Sequence, residues 1–151
     1  MKKKAIITSI KGLVLSGNER ILFKKYKPWG VILFKRNIFS YRQTKKLIQN
    51  IRNTVNDNKL PILIDEEGGL VSRLDRILDN KVYSQNFFGN LFLHNKTLGL
   101  SFYKNYINSL CSVFKSLGIN INTVPILDII KKKTHKIIGT RSYSVNKEII
   151  K

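Results

Sequence analysis

Pro61-Ile62-Leu63-Ile64-Asp65-Glu66-Glu67-Gly68-Gly69 is the stretch whose reading decides the fold. An uninterrupted aliphatic run suits a strand covered on both faces. This one runs straight into three carboxylates, and ionised groups avoid a protein interior unless they are paired. Two glycines then free the backbone to turn sharply or to approach a neighbour closely. Arg73 follows eight residues after Asp65, a cation able to neutralise a carboxylate or grip a polar ligand. The stretch reads as a buried strand ending at the rim of an active site.

Working outward, residues 5–10, 31–34 and 119–127 read as three further strands, the second of them another continuous aliphatic run. Helical patterns separate them. Ser16-x-x-Glu19 is a capping box opening a helix toward Tyr26, with Pro28 and Gly30 beyond its end. Ser40-x-x-Gln43 is a second box, followed by Leu47, Ile48, Ile51 and Val55 at helical spacing. A third helix is expected over 98–117, with Phe102, Tyr106, Leu110, Val113, Phe114 and Leu117 on its inner stripe and Gly118 as its stop. Residues 75–96, which hold Phe87, Phe88 and Phe92, read as a long irregular loop. Strands alternating with helices predict a parallel sheet of right-handed crossovers, an α/β fold.

Composition narrows the function classes. A chain of 151 residues with 42% hydrophobic content suits one ordinary domain. No apolar run approaches the ~18 residues of a membrane span. Lys11 interrupts the apolar stretch after Met1-Lys2-Lys3-Lys4, so a first strand is expected there rather than a secretory signal. Cys111 stands alone, which excludes a disulfide framework, and its apolar neighbours predict a buried structural thiol. The net charge of +19 would attract polyanions, yet the cations are scattered along the chain, which favours a solvated basic surface.

In parallel α/β architectures ligands meet the carboxyl ends of the strands. That rule collects Lys35, Arg36 and Asn37, then Asp65, Glu66, Glu67 and Arg73, then Asp128 and the run Gly139-Thr140-Arg141-Ser142. Polar tips on several strands suit a small ligand rich in hydroxyls. Asp65 and Glu67 lie two apart in an extended segment, and paired carboxylates can hydrolyse glycosides at separations of ~5–9.5 Å. The other reading makes them a cluster held by Arg73 and Arg141 that binds substrate or fixes the loop. Neither a P-loop nor a G-x-G-x-x-G pattern is present. His94 and His135 lack partners at metal-ligand spacing and read as surface residues, and Trp29 reads as a packing residue.

Three blocks now carry a resemblance: 26–38 (Tyr-Lys-Pro-Trp-Gly-Val-Ile-Leu-Phe-Lys-Arg-Asn-Ile), 64–74 (Ile-Asp-Glu-Glu-Gly-Gly-Leu-Val-Ser-Arg-Leu), and 125–128 with 138–143. The chain resembles the N-terminal half of bacterial β-N-acetylhexosaminidases of glycoside hydrolase family 3. The likeness implies a TIM (β/α)₈ barrel of which about four βα units are present, forming one incomplete-barrel domain over 1–151. It implies retaining removal of terminal β-linked N-acetylglucosamine in cytoplasmic peptidoglycan recycling, with no metal or organic cofactor. By the same likeness Asp65, Arg73 and Arg141 are the substrate-binding residues. Glu66 and Leu70 stand where the family usually has glutamine and arginine.

The family's Lys-His-Phe-Pro-Gly-His-Gly block, its acid/base histidine and its nucleophilic aspartate fall beyond residue 151. No catalytic residue is therefore assigned, and the chain alone is expected to be inactive. The expected partner is an N-acetylglucosamine-containing glycan, with neither membrane nor nucleic acid. A missing barrel half or self-association would cover the open sheet edges. The alternative is a non-catalytic remnant, or a basic protein that contacts polyanions.

Overall fold

Four parallel strands lie side by side in the order in which the chain makes them: β1 (Lys4–Thr8), β2 (Pro28–Leu33), β3 (Ile62–Ile64) and β4 (Ile121–Asn122). Helices α1 (Gly17–Tyr26) and α2 (Tyr41–Val55) make the first two crossovers. Helices α3 (Gln85–His94) and α4 (Lys96–Leu117) lie within the third, and α5 (Lys147–Ile150) follows β4. A doubly wound sheet reverses its strand order, whereas a barrel adds each strand beyond the last. The unreversed order here is that of a barrel, and the fold is a partial TIM-type α/β barrel. The computed structural model describes residues 3–135 and 138–150. It divides into two units, Met1–Asp65 with Val113–Thr123, and Glu66–Ser112 with Val124–Lys151.

The first unit holds the whole sheet. Strand register places Val31 beside Ile62 and Leu33 beside Ile64 on one face, all four fully buried. Leu47, Ile48, Ile51 and Val55 of α2 are equally buried, as their spacing predicted. Each such side chain contributes roughly 1.5–3 kcal/mol by leaving water. The opposite face carries Ile32, Leu63 and Ile121 in register. Arg52 closes the amino end of the unit, donating to the carbonyls of Gly118 at 2.8 Å and Leu60 at 3.3 Å.

The Ser16 capping box forms as expected, with the Ser16 Oγ accepting from the Glu19 N–H and the Glu19 carboxylate accepting from the Ser16 N–H. At α2 only half of the second box forms. Ser40 Oγ accepts from the Gln43 N–H, but the Gln43 amide oxygen accepts from Phe39 N–H at 3.0 Å instead of Ser40. Gly118 ends α4 with φ of 94°.

Several expectations need correction. The fourth strand is two residues long rather than nine, because Pro125 has no N–H to continue the ladder that Thr123 extends to Ile64. Residues 85–94 form a helix capped by Ser84, not a loop. Cys111 is exposed, since a step of one residue from buried Leu110 turns it about 100° round the helix. Trp29 is 42% exposed at the start of β2 and does not fill the core. Both His94 and His135 are exposed, as expected. Among the described residues no helix is long and apolar enough to cross a membrane.

Candidate functional site

In the first unit the carboxyl ends of the strands carry five polar residues. Asp65 follows the last residue of β3, and Thr123, just past β4, donates its hydroxyl to Asp65 Oδ1 at 2.6 Å. A charge-assisted bond of this length fixes the carboxylate's direction. Asn37 is fully buried and donates to the Ile10 and Gly12 carbonyls at 3.0 and 2.9 Å while accepting from Phe34 N–H at 2.9 Å. Its amide is thus spent on holding the β1–α1 loop and serves structure. Arg36 donates to Ile10 O and Ser9 Oγ and stacks over Phe34, 4.7 Å from the ring centre. Lys35 is exposed.

The second unit begins with Glu66, only 1% exposed. Four donors converge on its carboxylate: Gly68 N–H at 3.3 Å, Arg73 N–H at 2.6 Å, Leu74 N–H at 2.8 Å and Asn80 Nδ2 at 2.7 Å. Glu67 faces Arg141 side-on, with Nε on one oxygen and Nη2 on the other, each at 2.9 Å. Donating to the Glu67 carboxylate raises the Arg141 guanidinium above its ordinary pKa. Engaged in this way, Glu67 serves Arg141, and the structure gives no support to its use with Asp65 as a catalytic carboxylate pair.

The two glycines earn their place by close approach. Gly68 has φ of 77° and Gly69 of 60°, and a Cβ on Gly68 would run into the Tyr83 carbonyl. Gly69 N–H donates to Asn80 O at 3.1 Å. The backbone of Arg141 is held by Gln85, whose amide donates to Arg141 O and, at 3.1 Å, to Ile126 O. Ser142 Oγ donates to Asp128 O. Beneath these lies an aromatic cluster including Tyr83, Phe88 and Tyr106, flanked by a 2.6 Å hydroxyl pair, Tyr103 and Tyr143. Burial pushes the phenols of Tyr106 and Tyr143 above their ordinary pKa values.

Of the predicted binding residues, Asp65 closes the first unit, while Arg73 and Arg141 belong to the second. The structure ties Asp65 to Thr123, Arg141 to Glu67, and the backbone of Arg73 to Glu66. Sequence reasoning missed Thr123, Asn80 and Gln85. Thr123 lay in the middle of the strand expected over 119–127, so nothing marked it as a strand end until β4 proved to stop at Asn122; Asn80 and Gln85 lay in the segment expected to be a loop. Among the described residues no group of three or more His, Cys, Asp or Glu side chains could hold a metal ion.

Comparison with known proteins agrees with this architecture. The chain is 29% identical over 140 residues to β-hexosaminidase A of Pseudoalteromonas piscicida, covering 85% of this chain and 22% of that protein. It is 26% identical over 145 residues to the β-hexosaminidase of Xanthomonas euvesicatoria pv. vesicatoria, covering 96% and 42%. The chain thus spans less than half the length of these curated relatives. Among solved structures, NagZ from Neisseria gonorrhoeae in complex with N-trifluoroacetyl-D-glucosamine shares the fold, with a TM-score of 0.83 at 23% identity over 98% of this chain and 43% of that one. Strands β2 to β4, the acid-Gly-Gly turn after β3 and the arginine after β4 all fall within residues 8–151, which match the glycosyl hydrolase family 3 N-terminal domain, and the chain belongs to that family.

Proposed function

We propose that this chain is the sugar-binding portion of a retaining exo-β-N-acetylglucosaminidase acting in cytoplasmic recycling of peptidoglycan fragments. Asp65 accepts from sugar hydroxyls, and Arg73 and Arg141 donate to sugar oxygens. The observation that carries the reading is the side-on pairing of Arg141 with Glu67, in a chain of glycosyl hydrolase family 3 whose curated relatives are β-hexosaminidases. A guanidinium held through Nε and Nη2 presents Nη1 on its far side, an oriented donor of the kind that selects among hydroxyls. No metal or organic cofactor enters the reading. Turnover is assigned to groups outside these residues, since Glu67 is engaged and both histidines are exposed.

The test is calorimetric titration of the chain with N-acetylglucosamine, alongside an assay with a chromogenic β-N-acetylglucosaminide. Binding that is weakened by Asp65→Asn, with no hydrolysis, is the expected result. Absence of binding would overturn the assignment of the three residues, and hydrolysis by the chain would overturn the division between binding and turnover.

A further inference from the structure

The 15 residues from Glu66 to Asn80 form a loop whose two ends meet through a side chain rather than through a sheet. Asn80 Nδ2 donates to Glu66 Oε1 at 2.7 Å, and Asn80 O accepts from Gly69 N–H and Tyr83 N–H at 3.1 and 3.0 Å. Inside the loop Leu74 is fully buried, and its carbonyl accepts from Ile77 and Leu78 N–H. Compact loops closed on their own side chains are recurrent functional units. Here the filling is a carboxylate. The middle of the loop has no ladder to fix it, yet the N–H groups of Arg73 and Leu74 both end on Glu66 Oε2. Moving that oxygen moves the Cα of Arg73 and therefore the origin of its guanidinium.

We infer that Glu66 is a positioning residue for Arg73, acting as a buried acceptor that clamps the Arg73–Leu74 backbone, with Asn80 as its adjustable partner. The inference rests on the reading of Arg73 as a sugar contact. Its chemistry separates acceptor from charge. A glutamine at 66 keeps one oxygen for the Arg73 and Leu74 N–H groups. Its new NH₂ is met when the Asn80 amide rotates to offer its own oxygen, which accepts no hydrogen bond among the described residues, while the longer 3.3 Å bond from Gly68 N–H is given up. A methionine of similar length keeps neither acceptor and strands all four donors, the N–H groups of Gly68, Arg73 and Leu74 and the Asn80 amide.

The experiment compares the full chain with Glu66→Met and Glu66→Gln, reading amide hydrogen exchange by NMR and N-acetylglucosamine affinity by titration. In the unmodified chain the Arg73 and Leu74 amides should exchange at least about tenfold more slowly than unprotected amides, since both are held by a buried acceptor. Glu66→Met should release those two amides and weaken affinity about tenfold or more, while Leu63 in β3 keeps its protection. Glu66→Gln should restore both readouts to within about threefold. Fast exchange at Arg73 and Leu74 in the unmodified chain overturns the clamp, even if Glu66→Met fails to fold. Equal loss in both variants also overturns it, because charge would then be the agent. Should the unmodified chain bind no sugar, the role of Arg73 falls, and the exchange results alone decide the clamp.

Discussion

Arg141 and Glu67 lie 74 residues apart in sequence and meet through two parallel hydrogen bonds of 2.9 Å, with the carboxylate side chain 7% exposed and the guanidinium 25%. Two charges withdrawn this far from water persist only as a pair. The pairing explains why a second acid stands so close to Asp65: it orients an arginine.

Replacing Glu67 with glutamine should therefore cost more than a surface ion pair would. One oxygen of the pair becomes an NH₂ facing a guanidinium N–H, and the expected loss is about 1–3 kcal/mol. For a chain of this size that is several degrees in Tm, measurable by thermal unfolding followed by circular dichroism. N-acetylglucosamine affinity should fall as well. Unchanged melting would mean that the pair contributes nothing to the fold.

Asp65 makes the opposite prediction. Its carboxylate sits at a strand end beside Thr123, and the residue is only partly buried. Asp65→Asn keeps the shape and leaves stability within about 1 kcal/mol. Sugar affinity should drop about tenfold or more, since bonds to an ionised acceptor contribute roughly 1.5–3 kcal/mol. Thr123→Val should give a smaller drop, by releasing the carboxylate from its fixed direction. Equal affinity for Asp65→Asn and the unmodified chain, by titration, would remove Asp65 from the site.

Much of this was legible because it was local. The aliphatic run ending in Asp65, the Ser16 capping box and the stripe from Leu47 to Val55 each declare themselves within one element. What was hidden depends on distant partners. Helix α3 contains Gly89, a poor helix former by propensity, yet a Cβ there would run into the Tyr143 carbonyl. Tertiary closeness overrides local preference at that point, and no window of sequence shows it. The roles of Glu66, Glu67 and Gln85 were opaque for the same reason. Their partners are Asn80, Arg141 and Ile126, and acids followed by glycines could equally have served a metal or a substrate.

Two glycines provide a paired test of backbone strain. Gly68 combines φ of 77° with a close approach to Tyr83 O, so Gly68→Ala should destabilise by at least about 2 kcal/mol. Gly12 has no neighbour within 4 Å of an added Cβ, and its backbone is not left-handed. Gly12→Ala should be neutral or stabilise by up to about 1 kcal/mol, through a less flexible unfolded chain. Urea titrations of the two variants decide the matter, and similar losses at both sites would show that conformation at Gly68 is not special.

Acid sensitivity should be traceable to the start of α1. Partial burial raises the Glu19 carboxyl's pKa, but the N–H groups of Ser16 and Lys11 and the Ser16 hydroxyl together outweigh it, leaving Glu19 below its ordinary value. A carboxyl whose folded pKa is depressed contributes stability that is present above its unfolded pKa and is lost as pH falls through the folded one. The contribution should therefore be whole at neutral pH and be lost progressively as pH falls below about 4.3, the unperturbed glutamate value. Glu19→Gln cannot titrate. It should be less stable than the unmodified chain at pH 7, and the gap should shrink as both are acidified. Urea midpoints for the two proteins at pH 7, 5, 4 and 3 test this directly. A gap that stays constant across the series would show that Glu19 acts through shape alone, and that its charge plays no part in holding the loop from Lys11 to Ser16.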